Sequence, residues 1–189
     1  MKKIIIILGD IASGKSTLAD AIQAETGFLC FQKDKVKEAL CDEIGFSNRE
    51  ENLRLSRRAI DLMFATSEVA MNLETGILLE ANFHSDELKR LQKLIEKYQY
   101  QSFFIHLTGE LEFLYKRFLA RVPTRHKSHL SMGLHKDYWA FYRYVISSRE
   151  DIKGWFFPYT YDVTSMTSES LFQEIKKVLT KEKFLCQKA

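Results

Sequence analysis

The chain has 189 residues, with 28 Lys+Arg against 25 Asp+Glu and a formal net charge of +3 when its five histidines are counted neutral. Hydrophobic residues make up 46% and charged residues 28%, which excludes a disordered or fibrous chain and leaves one domain, 1–189, with ample core. So small a net charge gives no argument for a nucleic-acid partner by itself, and any basic preference has to be local.

The opening, MKKIIIILGD, starts like a signal peptide. Its apolar run is too short for the hydrophobic region, and Gly-Asp follows Leu8 in place of a small-residue cleavage site. No run approaches the roughly 18 apolar residues of a membrane span. A cytoplasmic chain without a membrane partner is therefore expected. Ile4 to Leu8 reads as a buried strand. Lys15 to Thr26 reads as a helix closed by Gly27. Phe28 to Phe31 is a second apolar run, followed by helical stretches at Asp34 to Cys41 and Asn52 to Leu73. Gly76 stops the second, and Ile77 to Leu79 gives a third strand. Asp86 to Tyr98 reads as a helix, Ser102 to Leu107 as a strand and Glu110 to Ala120 as a helix. Lys136 to Ser148 reads as helical, Trp155 to Tyr161 as the last strand and Ser168 to Lys181 as the last helix. Strands alternating with helices predict an α/β fold whose mainly parallel sheet is covered on both faces. Cys30, Cys41 and Cys186 form no CxxC pair and no metal spacing, so free thiols are expected.

Gly9-Asp10-Ile11-Ala12-Ser13-Gly14-Lys15-Ser16 matches G-x-x-x-x-G-K-[ST] at every fixed position, and Thr17 follows. The glycines allow backbone conformations that turn successive N–H groups toward phosphate oxygens. A helix opening near Lys15 adds its N-terminal dipole. Lys15 supplies a mobile charge for the β/γ phosphates, and Ser16 a hydroxyl ligand for Mg²⁺. The motif follows an apolar strand and opens a helix, which is the context it needs. A nucleoside triphosphate is implied, with ATP favoured because no N-K-x-D-type guanine signature is present.

Two further regions bear on the chemistry. Asp34 lies at the carboxyl end of the second strand, the edge on which ligands of open α/β sheets sit. There it can take a proton from a hydroxyl approaching the γ-phosphate, and an aspartate would equally suit a helix N-cap. The stretch from Phe113 to Lys136 has no acidic residue and carries Lys116, Arg117, Arg121, Arg125, Lys127 and Lys136 with three histidines. Arg117 and Arg121 share a helix face, and Arg125 follows beyond Pro123. Guanidinium forks match the oxygens of a transferring phosphoryl group.

With these residues in view, the chain resembles the adenylate-kinase-like branch of P-loop kinases. It is most similar to the small AAA-type group that includes phage polynucleotide kinase, with gluconate kinase, shikimate kinase and chloramphenicol phosphotransferase as relatives. Besides the loop, Asp34-Lys35-Val36-Lys37 resembles the family's D-x-x-[RK] step. Arg125-His126-Lys127-Ser128-His129 is similar to its R-H-P-G-H lid, without the Pro-Gly. Strand three ends in Glu80, where many P-loop enzymes carry a metal-organising Asp. The resemblance implies a three-layer fold with a five-stranded parallel sheet in order 2-3-1-4-5, an acceptor-binding helical region at 42–75 and a lid at 121–135. It further implies that Arg117 packs on the adenine, that Arg121 and Arg125 reach the phosphates, that Asp34 is the base and that the loop around Asp162 to Thr164 borders the adenine.

For the acceptor, the residues to weigh are Lys37, Arg57, Glu80, Asn82 and His84. The last three share one loop at a strand end, and Arg57 belongs to a series with Arg49, Arg54 and Arg58 that reads equally as a solvated helix face. The aromatic series Tyr138, Trp139, Phe141, Tyr142, Tyr144 reads as core packing beneath the lid, since no RRM-like or OB-like pattern accompanies it. The leading expectation is an ATP- and Mg²⁺-dependent kinase acting on a hydroxyl of a small molecule. A nucleotide or polynucleotide 5′-kinase and a slowly hydrolysing switch module are the alternatives. The acceptor's identity and the oligomeric state are not written in the sequence.

Overall fold

The computed structural model describes residues 2–185, so Cys186 lies outside the described residues. Five parallel strands form one sheet in the order β2-β3-β1-β4-β5. They are β1 (Lys3–Gly9), β2 (Leu29–Gln32), β3 (Ile77–Glu80), β4 (Gln101–Thr108) and β5 (Tyr159–Asp162). The helices are α1 (Lys15–Thr26), α2 (Lys33–Ile44), α3 (Arg49–Asn72), α4 (Ser85–Tyr98), α5 (Leu111–Arg121), α6 (Tyr138–Asp151) and α7 (Ser168–Lys181), with single 3₁₀ turns at Val122–Thr124 and Lys127–His129.

The central strand explains the layering. Ile4, Ile5, Ile6, Ile7 and Leu8 are all fully buried. Alternate side chains of a strand face opposite sides, so the run feeds two cores at once. Ile5 and Ile7 join Leu18, Ile22, Phe118, Phe141 and Ile175, which places α1, α5, α6 and α7 on one face. Ile4, Ile6 and Leu8 join Met63, Phe64, Leu88 and Leu91, which places α3 and α4 on the other. Each such isoleucine, taken fully out of water, contributes roughly 1.5–3 kcal/mol before conformational entropy is subtracted. Among the described residues no helix is long and apolar enough to cross a membrane.

Several boundaries differ from the sequence reading. The last strand begins only after Pro158, whose nitrogen has no proton for the ladder. Trp155 and Phe157 pack instead on the α3–α4 side of the core, the indole donating to Ser85 Oγ at 3.1 Å. Helix α3 starts three residues earlier than Asn52, because the side chain of Asn48 accepts from the Glu51 amide and caps it. Asp34 is not an N-cap: α2 is entered through Gln32, and Asp34 sits inside the first turn, where the helix dipole favours its charge. The aromatic series divides by helical period. Phe141 is fully buried, whereas Trp139 on the opposite face is 61% exposed, so it is not core.

Candidate active site

The carboxyl ends of β1, β2 and β3 meet at one edge of the sheet, and the phosphate loop leaves β1 there. Gly9 has φ 125°, and a Cβ on it would stand 2.0 Å from the Leu107 carbonyl oxygen, so no other residue fits this exit from the strand. Gly14 has φ 99° and is the N-cap of α1, contributing no side chain in front of the helix's free N–H groups. Ser13 Oγ is buried without a partner, a hydroxyl left for a ligand oxygen. Lys15 is 7% exposed, and its ammonium donates to the Asp10 carbonyl at 2.6 Å. Burial draws the Lys15 pKa down, opposed by Glu80, Asp34 and Asp10. Asp10 itself, expected among the nucleotide contacts, points elsewhere. Its amide donates to the Leu107 carbonyl at 2.8 Å, and its carboxylate is held by Arg149, Thr108 and Gly109.

Glu80 at the end of β3 is 5% exposed and accepts from Ser16 Oγ at 3.1 Å. Burial pushes its carboxyl pKa up, against the pull of the Lys15 charge. The pair of hard oxygen ligands, one hydroxyl and one carboxylate, is the chemistry a Mg²⁺ ion takes beside nucleotide phosphates.

Asp34, Glu80 and Lys15 open onto one cavity of about 430 Å³, whose walls include Ser16, Lys33, Lys37, Arg57, Asn82, His84, Arg121 and Arg125. The expected catalytic and acceptor residues are thus brought together. Of the four arginines in the series, only Arg57 reaches this wall. Asp34 faces two cations, Lys33 at 3.7 Å and Arg125 at 3.9 Å, and the imidazole of His129, whose Nδ1 lies at 3.8 Å. Burial raises its pKa, but Lys33, His129, Arg125 and Lys15 outweigh it and hold the carboxyl below its usual value. It is therefore ionised across the physiological range. Burial and the neighbouring Lys33 lower the Lys37 pKa to about 8, with Asp34 pulling the other way.

Arg117 lines a second cavity of about 110 Å³ on the other side of the loop, with Ser13, Gly14, Thr17, Val163 and Thr167. Its guanidinium lies 5.5 Å from the Phe113 ring centroid. Thr164, expected on this wall, spends its hydroxyl accepting from the Glu110 amide at 2.8 Å. The turn after β5 directs Val163 and Thr167 to the cavity in its place.

The segment 121–135 lies against α2. His129 Nε2 meets Glu38 at 2.7 Å, His126 Nε2 meets Asp42 at 3.0 Å, and Lys37 donates to the Ser128 carbonyl at 3.1 Å. Arg125 is drawn inward over Phe118, and its Nη1 is buried with no partner. A phosphate oxygen would satisfy that donor. Proteolytic cutting near Arg125 is accordingly expected to slow when a non-hydrolysable ATP analogue is bound; equal cutting with and without it would contradict a nucleotide-gated lid.

Sequence reasoning missed several wall residues. Lys33 and Asn52 carry no motif, and Asn52 Nδ2 is buried without a partner although α3 reads as a solvated helix. Tyr144 packs against the core as expected, and its phenol in addition meets Asn82 at the cavity. Only its place one helical turn from Phe141 could have signalled that.

No protein-family model and no curated protein matches the chain. Solved structures do. A candidate kinase from Chloroflexus aurantiacus is 25% identical with a TM-score of 0.75, covering 93% of this chain and 97% of its own. A gluconokinase from Sinorhizobium meliloti is 14% identical with a TM-score of 0.57, covering 96% of this chain and 97% of its own. A shikimate kinase from Bacteroides thetaiotaomicron is 13% identical with a TM-score of 0.59, covering 96% and 98%. The fold, with its sheet order 2-3-1-4-5, is that of P-loop kinases, and the neighbours include small-molecule kinases.

Proposed function

We propose that the chain is an ATP-dependent kinase that transfers the γ-phosphoryl group to a hydroxyl of a small molecule. The observation that carries this reading is the meeting of Asp34 with Lys15, Arg121 and Arg125 on one cavity beside the phosphate loop. A passive nucleotide switch needs the loop and has no use for a carboxylate among cations across from it.

Each side chain has a role in the reaction. The loop amides, Ser13 and Lys15 hold the β- and γ-phosphates, and Arg117 faces the base side of the loop. Ser16 and Glu80 would hold Mg²⁺, which when bound neutralises charge on the phosphate oxygens. The acceptor enters the part of the cavity walled by Lys37, Arg57, Asn82 and His84. Asp34 accepts a hydrogen bond from its hydroxyl and aims the oxygen at phosphorus. A carboxylate with a lowered pKa is a weak base, so the proton moves late, when the oxygen has already bonded to phosphorus and turned acidic. Arg121 and Arg125 stabilise the charge that spreads over the transferring group.

The test is a screen of sugars, hydroxy acids, nucleosides, aminoglycosides and 5′-hydroxyl oligonucleotides for ADP release above the water background. Acceptor-dependent release from a free small molecule is expected. Release with oligonucleotides alone would favour a polynucleotide kinase, and no stimulation by any acceptor would favour the switch.

A further inference from the structure

The second residue of the phosphate loop is a buried carboxylate, and that is an awkward charge to place beneath an anion site. Asp10 has a side chain only 3% exposed. It is answered from a distant part of the chain. Arg149, in the last turn of α6, donates through Nη2 to Asp10 Oδ2 at 2.6 Å and through Nε to Oδ1 at 3.2 Å, a forked pair. The same Nη2 also donates to the Gly109 carbonyl at 2.6 Å. Thr108 Oγ1 at 2.9 Å and the Gly109 amide at 3.3 Å complete the shell around Asp10 Oδ2. Helix α6, the loop after β4 and the phosphate loop are thereby locked at one point.

The lock reaches the reacting lysine through the backbone. The carbonyl oxygen of Asp10 accepts from Lys15 Nζ at 2.6 Å, and the Ser13 amide donates to the same oxygen at 3.3 Å. Whatever fixes Asp10 also fixes the resting place of Lys15 and the turn of the loop. Tyr144, one and a half turns earlier on α6, lines the acceptor cavity, so one helix spans both halves of the site.

We infer that Arg149 is a positioning residue for the phosphate loop: it cancels the Asp10 carboxylate and so lets the loop receive phosphate. The inference rests on the kinase reading for its ligand, a nucleoside triphosphate. Its content is electrostatic, and that separates it from simple packing. Wild type carries a net charge of zero at the pair, Asp10→Asn carries +1, Arg149→Met carries −1, and the double variant returns to zero.

The experiment is calorimetric Mg-ATP binding by these four full-length proteins, with thermal melts to establish that each is folded. Arg149→Met is expected to bind roughly tenfold more weakly than wild type, as a buried anion is left facing the phosphates. Asp10→Asn should bind as tightly as wild type or more so. The double variant should recover to within about threefold of wild type, since the repelling charge is gone. A structural role alone predicts the opposite for the double variant, which lacks both halves of the lock and would bind least. Wild-type affinity in Arg149→Met, or a double variant no better than it, would overturn the inference. If Arg149→Met does not fold, the double variant stands in, and Mg-ATP binding by it tenfold or more weaker than by wild type would overturn the inference. Absence of Mg-ATP binding by wild type is a separate outcome that overturns the kinase reading itself.

Discussion

Asp34→Asn is expected to lower phosphoryl transfer by about two orders of magnitude or more while Mg-ATP binding holds or strengthens. Asparagine keeps the shape of the side chain but can neither take the proton nor hold the hydroxyl as a charged acceptor does. The binding half of the expectation follows from the surroundings. Lys33, His129 and Arg125 all lie within 4 Å of the carboxylate and would be freed to face the phosphates. The fold should tolerate the change, because Asp34 does not cap α2; what is lost is its favourable place in the helix dipole, roughly 0.3–1 kcal/mol, and its half-exposed ion pairs with Lys33 and Arg125. That loss has a pH signature. A carboxyl whose folded pKa is depressed contributes stability above its unfolded value, and the contribution disappears as pH falls through the lower folded value. Acid unfolding of the variant should therefore show less pH dependence at the acid end. Unchanged turnover in Asp34→Asn would place the base elsewhere, and Glu80 is the remaining carboxylate on the phosphate side of the cavity.

Lys15→Ala should weaken Mg-ATP binding by on the order of a hundredfold or more, several kcal/mol of charge-assisted contact. The lysine is buried, and among the described residues its ammonium has only a carbonyl oxygen for a hydrogen-bond partner. On nucleotide binding it is expected to leave that oxygen for phosphate, exchanging a dipole for a charge. Calorimetry that found wild-type affinity in the variant would contradict the assignment of the loop.

How much of this could be read in the sequence depended on whether a residue's role is local. The phosphate loop is contiguous, and each fixed position answers to its own backbone or to a ligand, so it reads directly. The sheet also reads well, because a fully buried strand such as Ile4 to Leu8 must have elements on both faces. Element ends read less well. Pro158 interrupts an aromatic run that looks like strand throughout, and the tertiary pull of the core on Trp155 and Phe157 decides what the run becomes. The Asp10–Arg149 pair could not be read, since the two residues are 139 positions apart and the motif leaves Asp10 unspecified. Thr164 and Asn52 failed for a related reason. Which member of a turn faces a cavity, and which amide is left unpaired, are properties of the folded surface and not of spacing. Asp34 lay between these cases: its place after β2 was legible, whereas the Lys33 and Arg125 cations that lower its pKa come from α2 and the lid.

The central claim is that this site moves phosphorus to a hydroxyl and does more than hold a nucleotide. Phosphorus NMR of a reaction with Mg-ATP and the best acceptor from the screen tests it most directly. A new phosphomonoester resonance is expected, growing in step with ADP in wild type and nearly absent in Asp34→Asn. Inorganic phosphate as the sole product alongside ADP, at the same rate with and without acceptor, would contradict it.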